Sequence, residues 1–414
     1  MSAQAATEQP TIGWRTPAVI IICGCLIAML SFGPRSAIGF FLTPLSQANH
    51  WGRDVFALAI AVQNLLWGVG QPFAGAIADR YGAPKVLGLG ALLYALGLYL
   101  MASATTPSML TLSAGVLIGF GLSGCAFTIV VGAFGKLVPE NWRSTAFGFG
   151  TAAGSFGQFL FSPLAVALMD KFGWQTALML FAAVLLLILP LSIALAAPRK
   201  GSAGSATPVP QQSVRHALVE AFGHRSYVLL VLGFFTCGFQ LAFVTVHLPS
   251  YLLDRGLSAE VGGWTLAVIG LFNIIGSVAA GYLGNRMPKR YILSIIYFAR
   301  AASIVVFILL PPSAAATLIF GAVTGLLWLS TVPPTSALVA VMFGTRWLAM
   351  LFGFAFLSHQ IGGFLGVLLG GLAFDHFGSY NPVWWLSVFF GVLSGLINLP
   401  IVEKPVMRPA VAAA

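Results

Sequence analysis

Gly75-Ala-Ile-Ala-Asp79-Arg80-Tyr81-Gly82-Ala-Pro-Lys85 returns half a chain later as Gly281-Tyr-Leu-Gly-Asn285-Arg286-Met-Pro-Lys289-Arg290. Each copy opens on glycine, places Asp or Asn four residues on, follows it at once with arginine, and ends on proline and lysine. The offset is 206 residues. Two further matches fall at 205: Trp142 and Phe147-Gly148-Phe149 against Trp347 and Phe352-Gly353-Phe354, and Pro44 against Pro249. The same offset sets Arg35 on Gln240. Each match is short, but three within one residue of the same spacing mark a chain made of two related halves.

The composition says what those halves are made of. Of 414 residues, 58% are hydrophobic and 7% are charged, where soluble domains carry about 25% charged residues. A soluble core cannot hide that much apolar surface, so the solvent for most of the chain is lipid. A spanning helix needs about 20 apolar residues, and runs of that length fill the sequence at roughly 17–44, 54–78, 84–104, 108–134, 143–168, 174–197, 227–253, 260–284, 290–310, 314–342, 347–374 and 381–402. The runs are continuous, without the alternation of a membrane barrel, so helices are the element. The expected fold is an all-α membrane protein of twelve transmembrane helices in two six-helix bundles. Six helices separate the repeats, so both halves cross in the same sense and an axis along the membrane normal relates them.

Residues 198–226, rich in Pro, Ser, Gly and basic residues, break the pattern and read as a linker with a short surface helix. The expected organisation is an N-terminal tail over 1–16, bundles over 17–197 and 227–402 joined by the linker 198–226, and a C-terminal tail over 403–414. Residues 1–16 are polar and the run after them exceeds a signal core of about 7–15 residues, so no cleavable signal is expected. With the N-terminus in the cytoplasm, cytoplasmic segments hold fifteen Lys and Arg and the opposite face three, Arg53, Lys171 and Arg255. The positive-inside rule then places both termini in the cytoplasm of a bacterial cell, with the chain in the inner (plasma) membrane. The net charge of +10 is spread over these loops rather than gathered in one patch, so no nucleic-acid partner is expected. Cys23, Cys25, Cys125 and Cys237 all lie inside apolar runs and read as small buried hydrophobes, with no disulfide or zinc framework.

The Gly75–Lys85 segment resembles the signature loop of the major facilitator superfamily, and its degenerate copy sits where that family has one. The resemblance covers motif, repeat and topology over the whole chain. It implies that Asp79, Arg80 and Arg286 help latch the cytoplasmic side during alternating access; the simpler reading is that they solvate a tight turn. A narrower resemblance is to monocarboxylate porters and oxalate:formate exchangers. It rests on Phe32-Gly33-Pro34-Arg35-Ser36 in helix 1 and on Asn141-Trp142-Arg143-Ser144-Thr145-Ala146-Phe147-Gly148-Phe149-Gly150 with Gly154 and Gly157 in helix 5. The chain departs from that group in helix 8, where the porters carry an Arg: residues 260–284 hold none, and their only acid is Glu260 at the outer end.

A charge in mid-membrane costs about 2.5–3.5 kcal/mol on insertion scales, so deep ionisable residues are functional candidates. All ten acids fall at termini, loops or helix ends, whereas Arg35, Arg300, His247 and His359 lie deep. A cavity with fixed positive charge and no acid suits an anion, which a guanidinium can grip with two parallel hydrogen bonds. Helices 1, 4, 7 and 10 line the cavity in the resembled family, which makes Arg35 the first candidate for substrate contact, against a reading in which it snorkels outward. Gln240 is its symmetric mate and is expected to face it across the cavity, or else to join helices. His247, two turns further along helix 7, and His359 are proton-coupling candidates, and His359 and Gln360 are also substrate candidates on helix 11. Asn273 and Trp328 complete the substrate set, each with a packing role as its competitor. Arg300, on a supporting helix, needs a partner, a carbonyl or a hydroxyl on a neighbour. Pro333 and Pro334 are expected to bend helix 10. Gly115, Gly119, Gly121 and Gly124 of helix 4 read as packing faces, not as a nucleotide loop.

The expected function is secondary active transport of a small organic anion, a monocarboxylate first, by proton symport or by exchange against a counter-anion. The chain is expected to act as a monomer. No cofactor, metal cluster, P-loop or nucleophile triad is visible, so no enzymatic role is expected. The competing readings are a drug or metabolite efflux pump of the same superfamily, a non-transporting receptor, and a membrane enzyme.

Overall fold

The computed structural model describes residues 14–196, 213–284, 286–344 and 348–406. Helix follows helix throughout, and the ends are set by ordinary capping chemistry. Thr16 caps α1 (Pro17–Asn49) by accepting from the Val19 amide, with Pro17 in the first turn. Thr106 with Pro107 does the same for α4 (Pro107–Phe134), Ser258 for α8 (Ala259–Leu283) and Ser313 for α10 (Ala314–Phe343). The remaining helices are α2 (Arg53–Tyr81), α3 (Ala83–Ala102), α5 (Glu140–Phe172), α6 (Trp174–Leu195), α7 (Arg225–Asp254), α9 (Lys289–Leu309), α11 (Leu348–Phe377) and α12 (Asn381–Asn398). Among the described residues, eleven helices are long and apolar enough to cross a membrane. The twelfth, α12, has 18 residues with asparagine at both ends.

Exposed faces confirm lipid as the solvent. On α3, Leu89, Leu92, Leu96 and Tyr99 form an open apolar stripe at helical spacing, while Gly90, Tyr94 and Gly97 face inward. Water would penalise such a stripe on every helix; lipid does not.

Small residues set the packing. In α4, Gly115 and Gly119 lie against α2, and Gly121 and Gly124 against Tyr94 and Gly90 of α3, as expected of a packing face. Between α7 and α11, Gly238 lies on the His359 carbonyl and Gly362 on the Phe235 carbonyl, so neither position has room for a side chain. The halves meet along α2 with α11 and α5 with α8, pairs that the 205-residue offset exchanges. Near the end opposite the chain termini, α1 crosses α7: Gly39 meets the Thr245 and Val246 carbonyls, and Thr43 shares a 2.9 Å hydrogen bond with Ser250.

Three sequence expectations need adjusting. The first helix runs on through a 3-10 turn to Asn49, and α7 starts at Arg225. Much of the expected linker lies outside the described residues; its described part carries the helix Val214–Gly223. In α10 the prolines do not bend a continuous helix. The chain leaves helical geometry over residues 328–331, and Pro333 and Pro334 start a second helical segment, Val332–Phe343.

Candidate functional site

A cavity of about 640 Å³ lies between the halves. Its walls come from α1, α2, α4 and α5 of one half and α7, α8, α10 and α11 of the other, and it extends past Gln71, Thr128, Tyr282 and Phe352 toward the face that carries the chain termini. No described residue lining it is acidic, whereas Arg35 and His359 both are lining residues.

Arg35 stands where α1 gives way to its 3-10 turn and is 4% exposed. One terminal nitrogen, Nη2, donates to Asn64 Oδ1 at 2.7 Å. Its Nε and Nη1 have no partner, nor has Asn64 Nδ2. A buried donor without an acceptor costs about 1–3 kcal/mol, more when charged. Three orphan nitrogens on two side chains at one cavity wall therefore describe a place for an acceptor that arrives from outside the chain. Asn64 also carries the network across the halves: Gln360 Nε2 donates to the Asn64 carbonyl at 3.2 Å, and Gln360 Oε1 meets His359 Nδ1 at 3.0 Å. Arg35, His359, Gln360 and Trp328 thus share one cavity.

The other candidates do not join them. Gln240 does not face Arg35. It turns to the far side of α7, donating to the Ser387 carbonyl at 2.9 Å and accepting from Arg300 at 3.4 Å. Backbone symmetry relates the two positions, but helix rotation does not carry the side chains to a common wall. His247 is fully buried behind the cavity, with Nε2 donating to the Val367 carbonyl at 2.8 Å and its ring against Gly370 and Tyr380. Asn273 joins helices: it donates to Ser155 Oγ at 2.9 Å and accepts from the Leu329 amide at 2.9 Å.

Arg300 finds backbone carbonyls as its partners. Its guanidinium takes the Leu327 carbonyl through Nε at 3.0 Å and the Trp328 carbonyl through Nη2. These are carbonyls freed where α10 breaks, so a cation caps the negative end of a helix in a buried site. Charge-assisted bonds contribute about 1.5–3 kcal/mol each, enough to offset the insertion cost of the charge. Arg300 and Asn273 together hold the break.

A break in α4 was not foreseen. Ala126 leaves helical geometry at φ −56°, ψ 144°, and the segment Phe127–Leu137 begins there without a side-chain cap. Ala126 is 205 residues from Thr331, so the two broken helices are symmetry mates and both line the cavity. Gly124, two residues before Ala126, and the offset from the helix 10 prolines are the signals the sequence carries.

The end of the cavity away from the termini is sealed by charged groups that the sequence treats as helix-end solvation. Arg53 grips Asp254 with both terminal nitrogens, at 2.6 and 2.7 Å, donates to the Tyr380 hydroxyl at 2.8 Å and lies 3.7 Å over the Phe374 ring. Asp375 accepts from the Arg53 and Asp54 amides at 3.1 and 2.7 Å, capping α2 from the other half. Of the gating-loop residues, the Asp79 and Arg80 side chains lie outside the described residues, as does Asn285. Arg286 stacks on the Tyr282 ring at 4.3 Å, and Gly82 turns the chain between α2 and α3 at φ +96°.

Residues 24–367 match the model of the Major Facilitator Superfamily. The chain belongs to that superfamily. It is 28% identical to the uncharacterized MFS-type transporter YcxA of Bacillus subtilis, over 91% of this chain and 93% of that protein. It is 26% identical to monocarboxylate transporter 13 of Rattus norvegicus, over 95% and 91% of the two chains, and 27% identical to human monocarboxylate transporter 11, over 94% and 84%. Among solved structures, a bacterial homologue of the human lysosomal transporter Spinster, captured inward-facing and unoccupied, superposes with a TM-score of 0.76 at 15% identity, over 94% of this chain and 97% of that one. A D-xylose–proton symporter gives 0.69 at 16% identity, over 95% and 99%. These likenesses show the fold: this is a multi-pass membrane transporter of the major facilitator type.

Proposed function

We propose that this major facilitator protein moves a small organic anion, a monocarboxylate first, by alternating access around Arg35. The observation that carries the reading is the pair of unpartnered Arg35 nitrogens at the wall of a cavity whose described lining holds no acid. A carboxylate supplies the missing acceptors and the missing negative charge together. The names of the monocarboxylate transporters among the relatives agree with that choice.

The Lys and Arg excess assigns the terminal face to the cytoplasm of a plasma membrane, which makes this an inward-open state closed outside by Arg53 and Asp254. The bundles 17–197 and 227–402 rock about the α2–α11 and α5–α8 seams, joined by the linker 198–226, and one monomer suffices. Asp79, Arg80 and Arg286 serve as the latch of the opposite state. His359, in the cavity, is the candidate for proton symport; exchange against a second anion needs no proton step. The aromatic walls favour one rival, a lipophilic efflux pump, which gives Arg35 no part in recognition.

Uptake of labelled carboxylates into proteoliposomes, wild type beside Arg35→Ala, tests the reading. The expected result is saturable uptake that the substitution abolishes; equal uptake by both proteins overturns it. Varying pH with and without trapped counter-anion separates symport from exchange.

A further inference from the structure

Resting on the anion reading just given, we infer that the substrate is an amphipathic carboxylate, with an aryl or alkyl group two or three bonds from the carboxylate, and that Trp67 and Phe356 select it. The charged end of the cavity is small. Arg35 Nε and Nη1, Asn64 Nδ2 and Trp67 Nε1 are all buried without partners, on three residues that line it. Four donor atoms match the roughly four lone-pair positions of one carboxylate. Arg35 and Asn64 are 4% and 1% exposed and are locked together by their 2.7 Å bond, so this end is built before any ligand enters.

Beyond those donors the wall turns aromatic at once. Trp67 is one turn from Asn64 on the same face of α2, and its edge meets the Phe356 ring at 5.6 Å. Phe356 stacks on His359 at 5.4 Å with 9° between the planes, and Phe234 lies 5.2 Å beyond His359. The strip therefore crosses from one half to the other, and closing the halves on a ligand presses it between them. Asn64 and Trp67 are three residues, about 4.5 Å, apart along the helix, which two or three bonds and a ring radius cover from a carboxylate carbon to a ring centre.

Size points the same way. Sites of about 300–1,000 Å³ suit drug-sized ligands, and the cavity of about 640 Å³ falls in that range. A three-carbon acid held at Arg35 leaves the rings facing water, so it gains nothing from them. A sugar acid strands its hydroxyls against the same rings.

The test compares labelled propanoate, lactate, 3-phenylpropanoate and 3-phenyllactate in proteoliposomes, with 3-phenylpropanamide as a neutral competitor. The expected half-saturation for each phenyl acid is at least tenfold below that of its short parent, and the amide competes poorly. Trp67→Phe, which keeps a ring and removes the N–H, is expected to weaken all four acids by a similar factor. Phe356→Leu is expected to shrink the phenyl preference to about twofold or less. Equal affinity for short and phenyl acids, with Arg35→Ala still inactive, overturns this inference and leaves the anion reading intact. An amide that competes as well as its acid overturns the anion reading, and this inference with it. Thermal unfolding of each detergent-purified variant identifies any that fail to fold, and Phe356→Met then replaces a failed Phe356→Leu.

Discussion

Arg53 and Asp254, 201 residues apart in sequence, close the end of the cavity away from the chain termini with a two-pronged ion pair at 2.6 and 2.7 Å. The pair joins the start of α2 to the end of α7, so it exists only while the halves are together at that face. Its side chains are 15% and 31% exposed, which limits its stability contribution through solvent screening to about 1 kcal/mol. That is small against folding but large against an equilibrium between two transport states, where 1.4 kcal/mol is a tenfold population change. Arg53→Ala and Asp254→Asn are each expected to shift the resting protein toward the state open at that face by several-fold. Labelling of a cysteine at Thr43 by an impermeant maleimide, with the native cysteines replaced, reads the shift; unchanged labelling counts against the latch.

The same face offers a covalent test. Thr43 Oγ1 and Ser250 Oγ are 2.9 Å apart across α1 and α7, so cysteines placed there bring their sulfurs into contact. Thr43→Cys with Ser250→Cys is expected to lose transport under oxidation and regain it with reductant. Transport that continues through a formed cross-link means that the halves do not part at this crossing.

How much of this was legible beforehand follows from what decides each feature. Span number and duplication depend on local hydropathy and on short motifs, and both were readable. The acid-free interior was readable because every Asp and Glu falls at a terminus, a loop or the end of an apolar run in the sequence. The partners were not. Arg53, Asp254 and Asp375 each look like end-of-helix solvation until the ends meet in space. For Gln240 the sequence does not choose between facing Arg35 and joining helices, because an offset fixes backbone correspondence and says nothing of which way the helix is turned. For Arg300 it does not say which carbonyls are taken, because backbone acceptors have no sequence signature and became available only through the break in α10.

That capping role makes Arg300 a structural residue with a measurable signature. Arg300→Ala leaves the Leu327 and Trp328 carbonyls short of donors in a buried site, at about 1–3 kcal/mol each. Thermal unfolding of purified protein is expected to fall by several degrees, with Arg300→Lys recovering part of the loss, since an ammonium reaches fewer acceptors in fixed geometry. A variant as stable as wild type removes the capping argument.

The close approach of α7 and α11 sets a steric limit. A methyl at Gly238 or Gly362 meets the His359 or Phe235 carbonyl, whereas Gly353 on the same helix α11 faces open space. Gly238→Ala and Gly362→Ala are expected to lower the yield of folded protein, with an overpacking cost of about 1–3 kcal/mol. Gly353→Ala serves as the tolerated control, and equal yields for all three contradict the packing described.

The two histidines separate by location. His359 lines the cavity and touches the Arg35–Asn64–Gln360 network, while His247 is sealed behind α7 with its Nε2 on a carbonyl. A ligand in the cavity can reach His359, whereas His247 is walled off from it. Under the anion reading, His359→Leu is expected to weaken carboxylate uptake several-fold while the protein stays folded. His247→Gln is expected to keep uptake per folded molecule and lose thermal stability, because its ring fills the space beside Gly370 and Tyr380. The decisive measurement pairs initial uptake rate with thermal unfolding for each detergent-purified variant. Uptake that survives in His359→Leu and fails in a well-folded His247→Gln reverses the assignment of the two roles.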